Sequence, residues 1–493
     1  MQKSRIGMRN EIGIYQIDRM EYPSKQNIFR PHKIYKEFGK LPIAECAEET
    51  NDVYEGIRNV LMLLEYDRKN IGTDRWNPLR DFILPGQYVV IKPNLVMHKN
   101  KSGQGEACLY THPSVVAAVL DYTILAMTDE SGKFDGKIVI GDAPMQSCDF
   151  DRLLNESGYS LLTDYYKKKG YAVEVKDFRN IKVVDCGWIS KKREKDSENG
   201  IIVSLGSKSN FAELSAERMK RLRITSYDPS VMKRHHNMKK HEYRIAQEIL
   251  EADVVINIPK PKTHRKAGIT IAMKNFVGIN ANKEYLPHHT VGSRLSGAGD
   301  EYLHTNVFFR MAGFFEDWKN AAMQREYYKL AGLIRLFAGI YNMLGRKIAK
   351  DPYREGSWYG NDTIWRTIYD LNNIIFYCDK SGRIRNHMQR KVLNIADMVI
   401  AGENDGPLAP SPRKCGILVA GENPALFDEC VCSLMGIAGK KIPSISHLRD
   451  TDRLFFTVGH ARVLSNISKW DTGKKLISFE DSFQFIPNPG WRN

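Results

Sequence analysis

The sequence predicts an α/β protein built on a doubly wound, mostly parallel sheet. Short apolar runs of strand length recur near residues 88, 138, 173, 254 and 417, with a less regular one near 398. Segments with helical spacing separate them, and this alternation is typical of a parallel sheet covered by helices on both faces. Polar clusters follow several runs. Since ligands of such sheets bind outside the carboxyl ends of the strands, we expect these clusters to share one crevice.

The predicted strands divide the 493 residues into a core and three additions. The α/β core covers residues 85–279 and 390–440. Residues 1–84 form an N-terminal extension with one helix predicted over 55–66, and residues 441–493 form a C-terminal extension. Residues 280–390 are a helical and loop insertion which, with a charged segment at 187–245, forms a cap over the core.

The composition restricts the partners. Seventy-three Lys and Arg against 58 Asp and Glu give a formal net charge of +15, which favours phosphorylated metabolites, nucleic acid or an anionic membrane. No nucleic-acid-binding module is recognisable, so we expect no nucleic acid partner. The start of the chain lacks the apolar core of a signal peptide, and its eight scattered cysteines contain no C-x-x-C pair. We therefore expect a cytoplasmic protein with reduced thiols.

The most informative stretch is residues 252–278, ADVVINIPKPKTHRKAGITIAMKNFVG. A buried strand of β-branched residues is predicted at its start, and two prolines fix the turn that follows. Cations and donors crowd this turn and the next segment: Asn257, Lys260, Lys262, His264, Lys274 and Asn275. We expect them to bind an anion that relieves the repulsion between Lys260 and Lys262. A solvated basic loop is the alternative.

Polar residues also follow two earlier strands. Lys92 and Asn94 come directly after the run at 88–91, where they suit an anion and a hydroxyl group, although local turn chemistry is equally open. Asp142 ends the run at 137–140, a common place for a metal or hydroxyl ligand and also for a helix cap. Thr111 is predicted to cap the next helix, and His112 is either a ligand or part of that cap.

Histidines concentrate in the second half of the core. Six of the thirteen lie between residues 235 and 289: His235, His236, His241, His264, His288 and His289. No H-x-x-x-H or H-E-x-x-H pattern supports a zinc site. Contacts to phosphate explain the cluster more economically, with chance surface enrichment left open.

Two carboxylates, Glu403 and Asp405, lie in the turn Gly-Glu-Asn-Asp-Gly-Pro at residues 402–407. With Asp142 they predict either a divalent cation site, for Mg²⁺ or Mn²⁺, or a catalytic acid and base. A plain polar turn remains the alternative. The sequence contains no dinucleotide-binding, P-loop or nucleophile-elbow motif.

Several of these motifs occur together in a known family. Residues 259–264 (Pro-Lys-Pro-Lys-Thr-His), 272–278 (Ala-Met-Lys-Asn-Phe-Val-Gly), 91–95, 111–113, 141–142 and 402–407 make the chain resemble the domain of unknown function 362 (DUF362) family over roughly residues 85–440. The resemblance implies an α/β fold and a shared site. Many relatives also carry a ferredoxin-like cysteine segment. This chain lacks its spacing, so we expect no iron–sulfur cluster.

A subset of the family associated with polysaccharide-biosynthesis gene clusters also resembles this chain at residues 358–363 (Trp-Tyr-Gly-Asn-Asp-Thr), 235–237 (His-His-Asn) and 286–289 (Leu-Pro-His-His). Our first functional hypothesis is an enzyme acting on an anionic, phosphorylated or nucleotide-linked sugar-type substrate. A non-catalytic protein that recruits an anionic glycan intermediate to partner enzymes or a membrane surface is the alternative. Residues 305–350 are aromatic, basic and helical in period. Packing on the sheet is the favoured role of this segment, and an anionic membrane is the other.

Overall fold

The computed structural model describes residues 8–39, 41–43, 45–186, 189–194, 199–225, 227–349, 353–449, 461–473 and 477–492. Within these residues the central feature is a mixed, mostly parallel sheet of ten strands. The strands are β1 (Glu11–Gln16), β2 (Tyr88–Pro93), β3 (Lys137–Asp142), β4 (Val173–Asp177), β5 (Val254–Ile258), β6 (Lys262–His264), β7 (Gly268–Thr270), β8 (Lys391–Asp405), β9 (Ala409–Gly421) and β10 (Arg462–Ser465).

The strand order is β10-β1-β9-β8-β5-β2-β3-β4, and the short β6 pairs with β7 and with β8. Strands β8, β5, β2, β3 and β4 are parallel to one another, whereas β9 runs antiparallel to both β8 and β1. The predicted fold class is confirmed. The residues assigned to terminal extensions also contribute to the sheet, since β1 and β10 pair in parallel at its edge.

Helices cover both faces of the sheet. They are α1 (Asp52–Leu63), α2 (Pro113–Met127), α3 (Phe150–Ser157), α4 (Tyr159–Lys168), α5 (Ala216–Lys220), α6 (Pro229–His235), α7 (Gln247–Glu251), α8 (Ala272–Asn275), α9 (Val307–Gln324), α10 (Tyr328–Ile348), α11 (Ile364–Tyr377), α12 (Pro424–Leu434) and α13 (Pro443–Ser446). Alternate residues of each central strand point to opposite faces. Val89 and Ile91 lie in the core with α1, α2 and α4, whereas Val90 packs with α11.

Smaller sheets lie outside the central one. Ile181–Cys186 and Ile189–Glu194 form a hairpin, and Ile201–Ser204, Lys240–Ile245 and His236–Asn237 form a three-stranded sheet. Leu222–Arg223 pairs with His289–Thr290 and so joins the two segments predicted to form the cap. Helices α9 and α10 pack against each other as a hairpin. In the described part of the chain, no helix combines the length and the apolar character needed to cross a bilayer.

The start of α2 differs from the prediction. His112, not Thr111, is the N-cap residue, and its Nδ1 accepts a hydrogen bond from the backbone N–H of Ser114. Thr111 is buried one residue earlier, where its hydroxyl donates to the carbonyl of Ile258 at 2.7 Å. Thr111 therefore ties the loop after β2 to the end of β5.

Candidate functional site

A partly enclosed cavity of about 150 Å³ lies at the carboxyl ends of β2, β3 and β5, where the fold class predicts a ligand. Part of its wall comes from the cap residues Ile224, Thr225, Tyr227, Lys283, Leu286 and His288, and Pro407 and Leu408 close another side. Its polar lining residues are Asn94, Asp142, Thr225, Tyr227, Lys262, His264, Arg265, Lys266, Thr270, Lys274, Asn275, Lys283 and His288. Five of them are Lys or Arg and one is a carboxylate.

That one carboxylate already has a cation. Asp142 Oδ1 lies 2.9 Å from Lys92 Nζ, and both side chains are almost fully buried. The same carboxylate accepts hydrogen bonds from the backbone N–H groups of Leu95 and Ala143 at 2.7 and 2.9 Å. A Cβ on Gly278 would lie 1.8 Å from Asp142 Oδ1, so this pair requires the glycine of the Ala-Met-Lys-Asn-x-x-Gly motif. Asp142 is therefore already paired within the protein, and a second carboxylate, Glu355 outside the lining, interacts with Lys266 and lies 3.9 Å from Arg265.

Four amides form a chain beneath the cavity. Asn94 donates to Asn275, Asn275 to Asn257, and Asn257 to Asn394, at distances of 2.8 to 2.9 Å. Lys262 Nζ donates to Asn94 Oδ1 at 2.5 Å and to a backbone carbonyl at 2.8 Å. Because each amide has a fixed partner, the chain holds Asn94 and Lys262 in one orientation at the cavity wall.

The lysines that line the cavity have pKa values close to neutral pH. Burial, reinforced by the charge of Lys260, lowers the pKa of Lys262 to about 7. Burial also lowers the pKa of Lys266 and of Lys283 to about 7, and that of Lys274 to about 8. Desolvation disfavours the ammonium form, and so does each neighbouring cation. An anion in the cavity would favour the ammonium form and so raise these pKa values.

Two histidines that line the cavity present opposite groups. Nδ1 of His264 accepts from the backbone N–H groups of Lys266 and Ala267 at 3.0 and 3.1 Å, so Nε2 carries the proton. Nδ1 of His288 lies 2.8 Å from the carbonyl oxygen of Leu286, which can only accept, so the proton is on Nδ1 and Nε2 keeps its lone pair. Burial and nearby lysines hold the pKa of both rings well below the usual value. At Nε2, His264 is therefore a hydrogen-bond donor and His288 is an acceptor.

Two further groups in the cavity lack a protein partner. The Thr270 hydroxyl is buried without a hydrogen-bond partner in the described structure. Lys274 Nζ is half-buried and has no hydrogen bond or ion pair with the described residues. Buried polar groups are nearly always satisfied, so an open hydroxyl and an open ammonium in one cavity favour a bound polar ligand.

Lys260 lies elsewhere. Its Nζ contacts Asp397 Oδ2 at 3.0 Å and the hydroxyl of Tyr22, with both charged side chains fully buried. Tyr22 also donates to Asp397 Oδ1 at 2.6 Å and stacks on His112 at 3.9 Å between ring centroids. The expectation that Lys260 and Lys262 form an uncompensated pair is wrong. Lys260 has its own buried carboxylate, and Lys262 alone lines the cavity.

Glu403 and Asp405, which were predicted to lie in a turn, belong to the end of strand β8 and do not line the cavity. Glu403 accepts from the backbone N–H of Ile486 at 3.0 Å, and Asp405 accepts from the Asn488 side chain at 2.9 Å. Both therefore fasten the C-terminal segment to β8. Among the residues that the structure describes, no group of three or more His, Cys, Asp or Glu side chains is arranged to hold a metal ion. The geometry does not bring Asp142, Glu403 and Asp405 together as a metal site.

The other predicted residues have separate positions. His235 bonds Glu242 at 2.7 Å and stacks on Tyr285, and His236 bonds the carbonyl of Tyr285 at 2.7 Å. His289 is buried 3.5 Å from Lys266 Nζ, directly behind the cavity wall. Of the seventeen candidate residues named from sequence, seven line the cavity: Asn94, Asp142, Lys262, His264, Lys274, Asn275 and His288.

Sequence reasoning missed Lys266 and Lys283. Lys266 follows His264 by two residues, and its Nζ donates to Thr225 Oγ1 at 2.8 Å. Lys283 donates to the carbonyls of Val277 and Asn280 at 3.2 and 3.4 Å. Lys266 lies inside the stretch at 259–278 and Lys283 follows it by five residues, so their position beside the motif was the available signal.

Comparisons with known proteins identify the family. The chain is similar to a crystal structure of a Thermotoga maritima protein (10% identity, TM-score 0.29), covering 75% of this chain and 55% of that one. It is also similar to the lactate racemase apoprotein from Thermoanaerobacterium thermosaccharolyticum (14% identity, TM-score 0.28), covering 84% of this chain and 59% of that one. Both similarities are distant, and each match spans less than two thirds of the solved chain. No curated protein matches the sequence significantly.

The family model described as Domain of unknown function (DUF362) matches residues 89–195 and 172–433, which include every strand end that builds the cavity. The chain belongs to the DUF362 family.

Proposed function

We propose that this chain is an enzyme that binds a small phosphorylated sugar-type molecule in the cavity and transfers protons on it. The observation that carries the proposal is the surplus of buried amines. Lys262, Lys266, Lys274 and Lys283 line one cavity whose only lining carboxylate is already paired with Lys92. Unpaired buried charge is costly, so a site of this kind is matched by a multiply charged anion such as phosphate.

The size of the cavity restricts which ligands it can hold. A volume of about 150 Å³ resembles that of a protein cavity that holds a benzene molecule, which is smaller than a nucleotide-linked sugar. The cavity therefore favours the phosphate and a few adjoining atoms of a sugar over a complete nucleotide. The exposed edge of the cavity leaves the rest of a larger glycan outside.

The two histidines supply the proposed chemistry. His288 Nε2 has a free lone pair and suits a general base, while His264 Nε2–H suits hydrogen bonding to a developing oxyanion. Burial and nearby lysines depress the pKa of both rings, so a phosphate oxygen placed beside His288 would raise the basicity of that ring.

A second function, non-catalytic recruitment of an anionic glycan intermediate, uses the same cavity. It is favoured by one observation. Glu403 and Asp405, which were expected to act as acid and base, are hydrogen-bonded to the C-terminal segment. The two functions share the ligand and differ in whether it is converted.

Calorimetric titration with inorganic phosphate and a panel of sugar phosphates tests the binding. Lys274→Met should weaken binding by about 1.5–3 kcal/mol, the contribution of a hydrogen bond to a charged group. Lys380→Met is the matched control, because Lys380 is exposed and pairs with Asp253 away from the cavity. Failure of all these anions to bind the wild type would refute both functions.

Exchange of ligand hydrogens in deuterated buffer, followed by NMR, tests the chemistry. The wild type should exchange or convert the ligand, and His288→Gln should bind it with little exchange. Binding without exchange or conversion would refute the enzyme and leave the recruitment function.

A further inference from the structure

The α9–α10 hairpin exposes an unusual amount of apolar surface. Twenty-one large hydrophobic side chains are exposed among the described residues, and eleven of them lie between positions 307 and 348. Positions 307–348 make up less than a tenth of the chain. Exposed hydrophobic residues are normally scattered singly, and a concentration of this kind marks an interaction surface.

The exposed residues of α10 form one face. Leu333, Phe337 and Ile340 are 45–55% exposed and recur at helical spacing. On the opposite side Ala331 and Ala338 are buried where α10 packs on α9. Ile334 and Gly345 are buried on the same side, and most of the other large apolar side chains of α10 are exposed, unlike those of an ordinary surface helix.

The charged residues are also distributed unevenly between the two helices of the hairpin. Helix α10 contains Lys329, Arg335, Arg346 and Lys347 and no acidic residue, and all four are exposed. The two acidic residues of α9 are each paired with an arginine of a neighbouring segment.

Glu316 pairs with Arg354 at 2.9 Å, and Asp317 pairs with Arg223 at 3.2 Å. These pairs hold α9 against the cap, and Asn320 adds a hydrogen bond to the carbonyl of Tyr227 at 3.2 Å. The hairpin is thus fixed on its inner side and presents cations and large apolar groups on its outer side.

We propose that the α9–α10 hairpin attaches this protein to the surface of an anionic lipid bilayer, lying in the plane of the interface. Apolar side chains would enter the headgroup and acyl boundary while lysines and arginines contact anionic headgroups. Trp318 and Tyr327, both exposed, belong to the residue types enriched at that depth. A second copy of the chain fits less well, because two such faces would bring eight cations of α10 together.

Flotation of the full-length protein with lipid vesicles tests this surface. Vesicles of phosphatidylcholine with phosphatidylglycerol are compared with phosphatidylcholine alone, at low and high salt. The test variant is Leu333→Ser/Phe337→Ser/Ile340→Ser. Its matched control is Leu84→Ser/Leu161→Ser/Leu295→Ser, which removes residues of 44–67% exposure outside the hairpin. All six positions are on the surface, and circular dichroism checks that both variants fold.

The wild type and the control should bind the anionic vesicles, and the hairpin variant should lose at least about a hundredfold in partitioning, from the loss of three inserted apolar side chains. Lys329→Gln and Arg335→Gln should each weaken binding to the anionic vesicles about fivefold. Lack of vesicle binding by the wild type would overturn the proposal. So would equal losses in the two triple variants, or a wild-type dimer that ignores vesicles and that the hairpin variant dissociates.

Discussion

Gly278→Ala tests how much the buried Lys92–Asp142 pair beside the cavity contributes to the stability of the protein. A Cβ at position 278 would lie 1.8 Å from Asp142 Oδ1 and 2.7 Å from Lys92 Nζ, far closer than real contacts. The φ angle of Gly278 is outside the left-handed region, so backbone strain plays no part. The carboxylate cannot step aside easily, because the N–H groups of Leu95 and Ala143 hold it.

The expected effect follows from that geometry. The added methyl group has to separate the two charges, and breaking a buried ion pair costs about 3–5 kcal/mol. Gly278→Ala should therefore lower the free energy of unfolding, measured by urea denaturation, by about that amount.

The matched control is Gly339→Ala on α10. A Cβ there meets nothing within 4 Å. Since alanine favours helix over glycine, this variant should gain up to about 1 kcal/mol. A Gly278→Ala protein within about 1 kcal/mol of the wild type would refute the reasoning. It would mean that Asp142 is less firmly held than its three hydrogen bonds indicate.

Two further predictions concern the lysines. Lys260→Met should destabilise the protein by about 3–5 kcal/mol in urea denaturation, because it leaves Asp397 buried without its cation. The double variant Lys260→Met/Asp397→Asn should recover part of that loss. A Lys260→Met protein as stable as the wild type would contradict this prediction. Phosphate binding at pH 8 should take up about two protons, because Lys262, Lys266 and Lys283, with pKa values of about 7, are mostly neutral there and an anion raises those values. At pH 6 the same lysines are already protonated and uptake should vanish. Calorimetry in buffers of different ionisation enthalpy measures both values, and net proton release at pH 8 would contradict the assignment.

The fold and the location of the site could be predicted because both depend on local patterns. Runs of β-branched residues mark buried strands, and polar residues at the ends of parallel strands must meet at one edge of the sheet. Asn94, Asp142 and Lys262 come together for this reason, although 168 positions separate Asn94 from Lys262.

The partner of each charge could not be predicted. Lys260 and Lys262 are two residues apart and look equivalent in sequence, yet Asp397, 137 positions from Lys260, lies beside Lys260 alone. Register between β5, β6 and β8 decides which lysine receives that carboxylate. The same holds for Glu403 and Asp405, since their partners, Ile486 and Asn488, lie in the C-terminal segment, for which no role was predicted.

The partner assignments explain how so many amines remain in one cavity. Two buried carboxylates near the motif are each matched to one lysine outside the lining, Asp142 to Lys92 and Asp397 to Lys260. With these carboxylates already paired, burial is the largest influence on the lining lysines and lowers their pKa to about 7 or 8. Above pH 7 the empty cavity then avoids most of the repulsion by holding neutral amines. At such pH a bound anion restores their charge, so binding of a negatively charged ligand is accompanied by the uptake of protons from solvent.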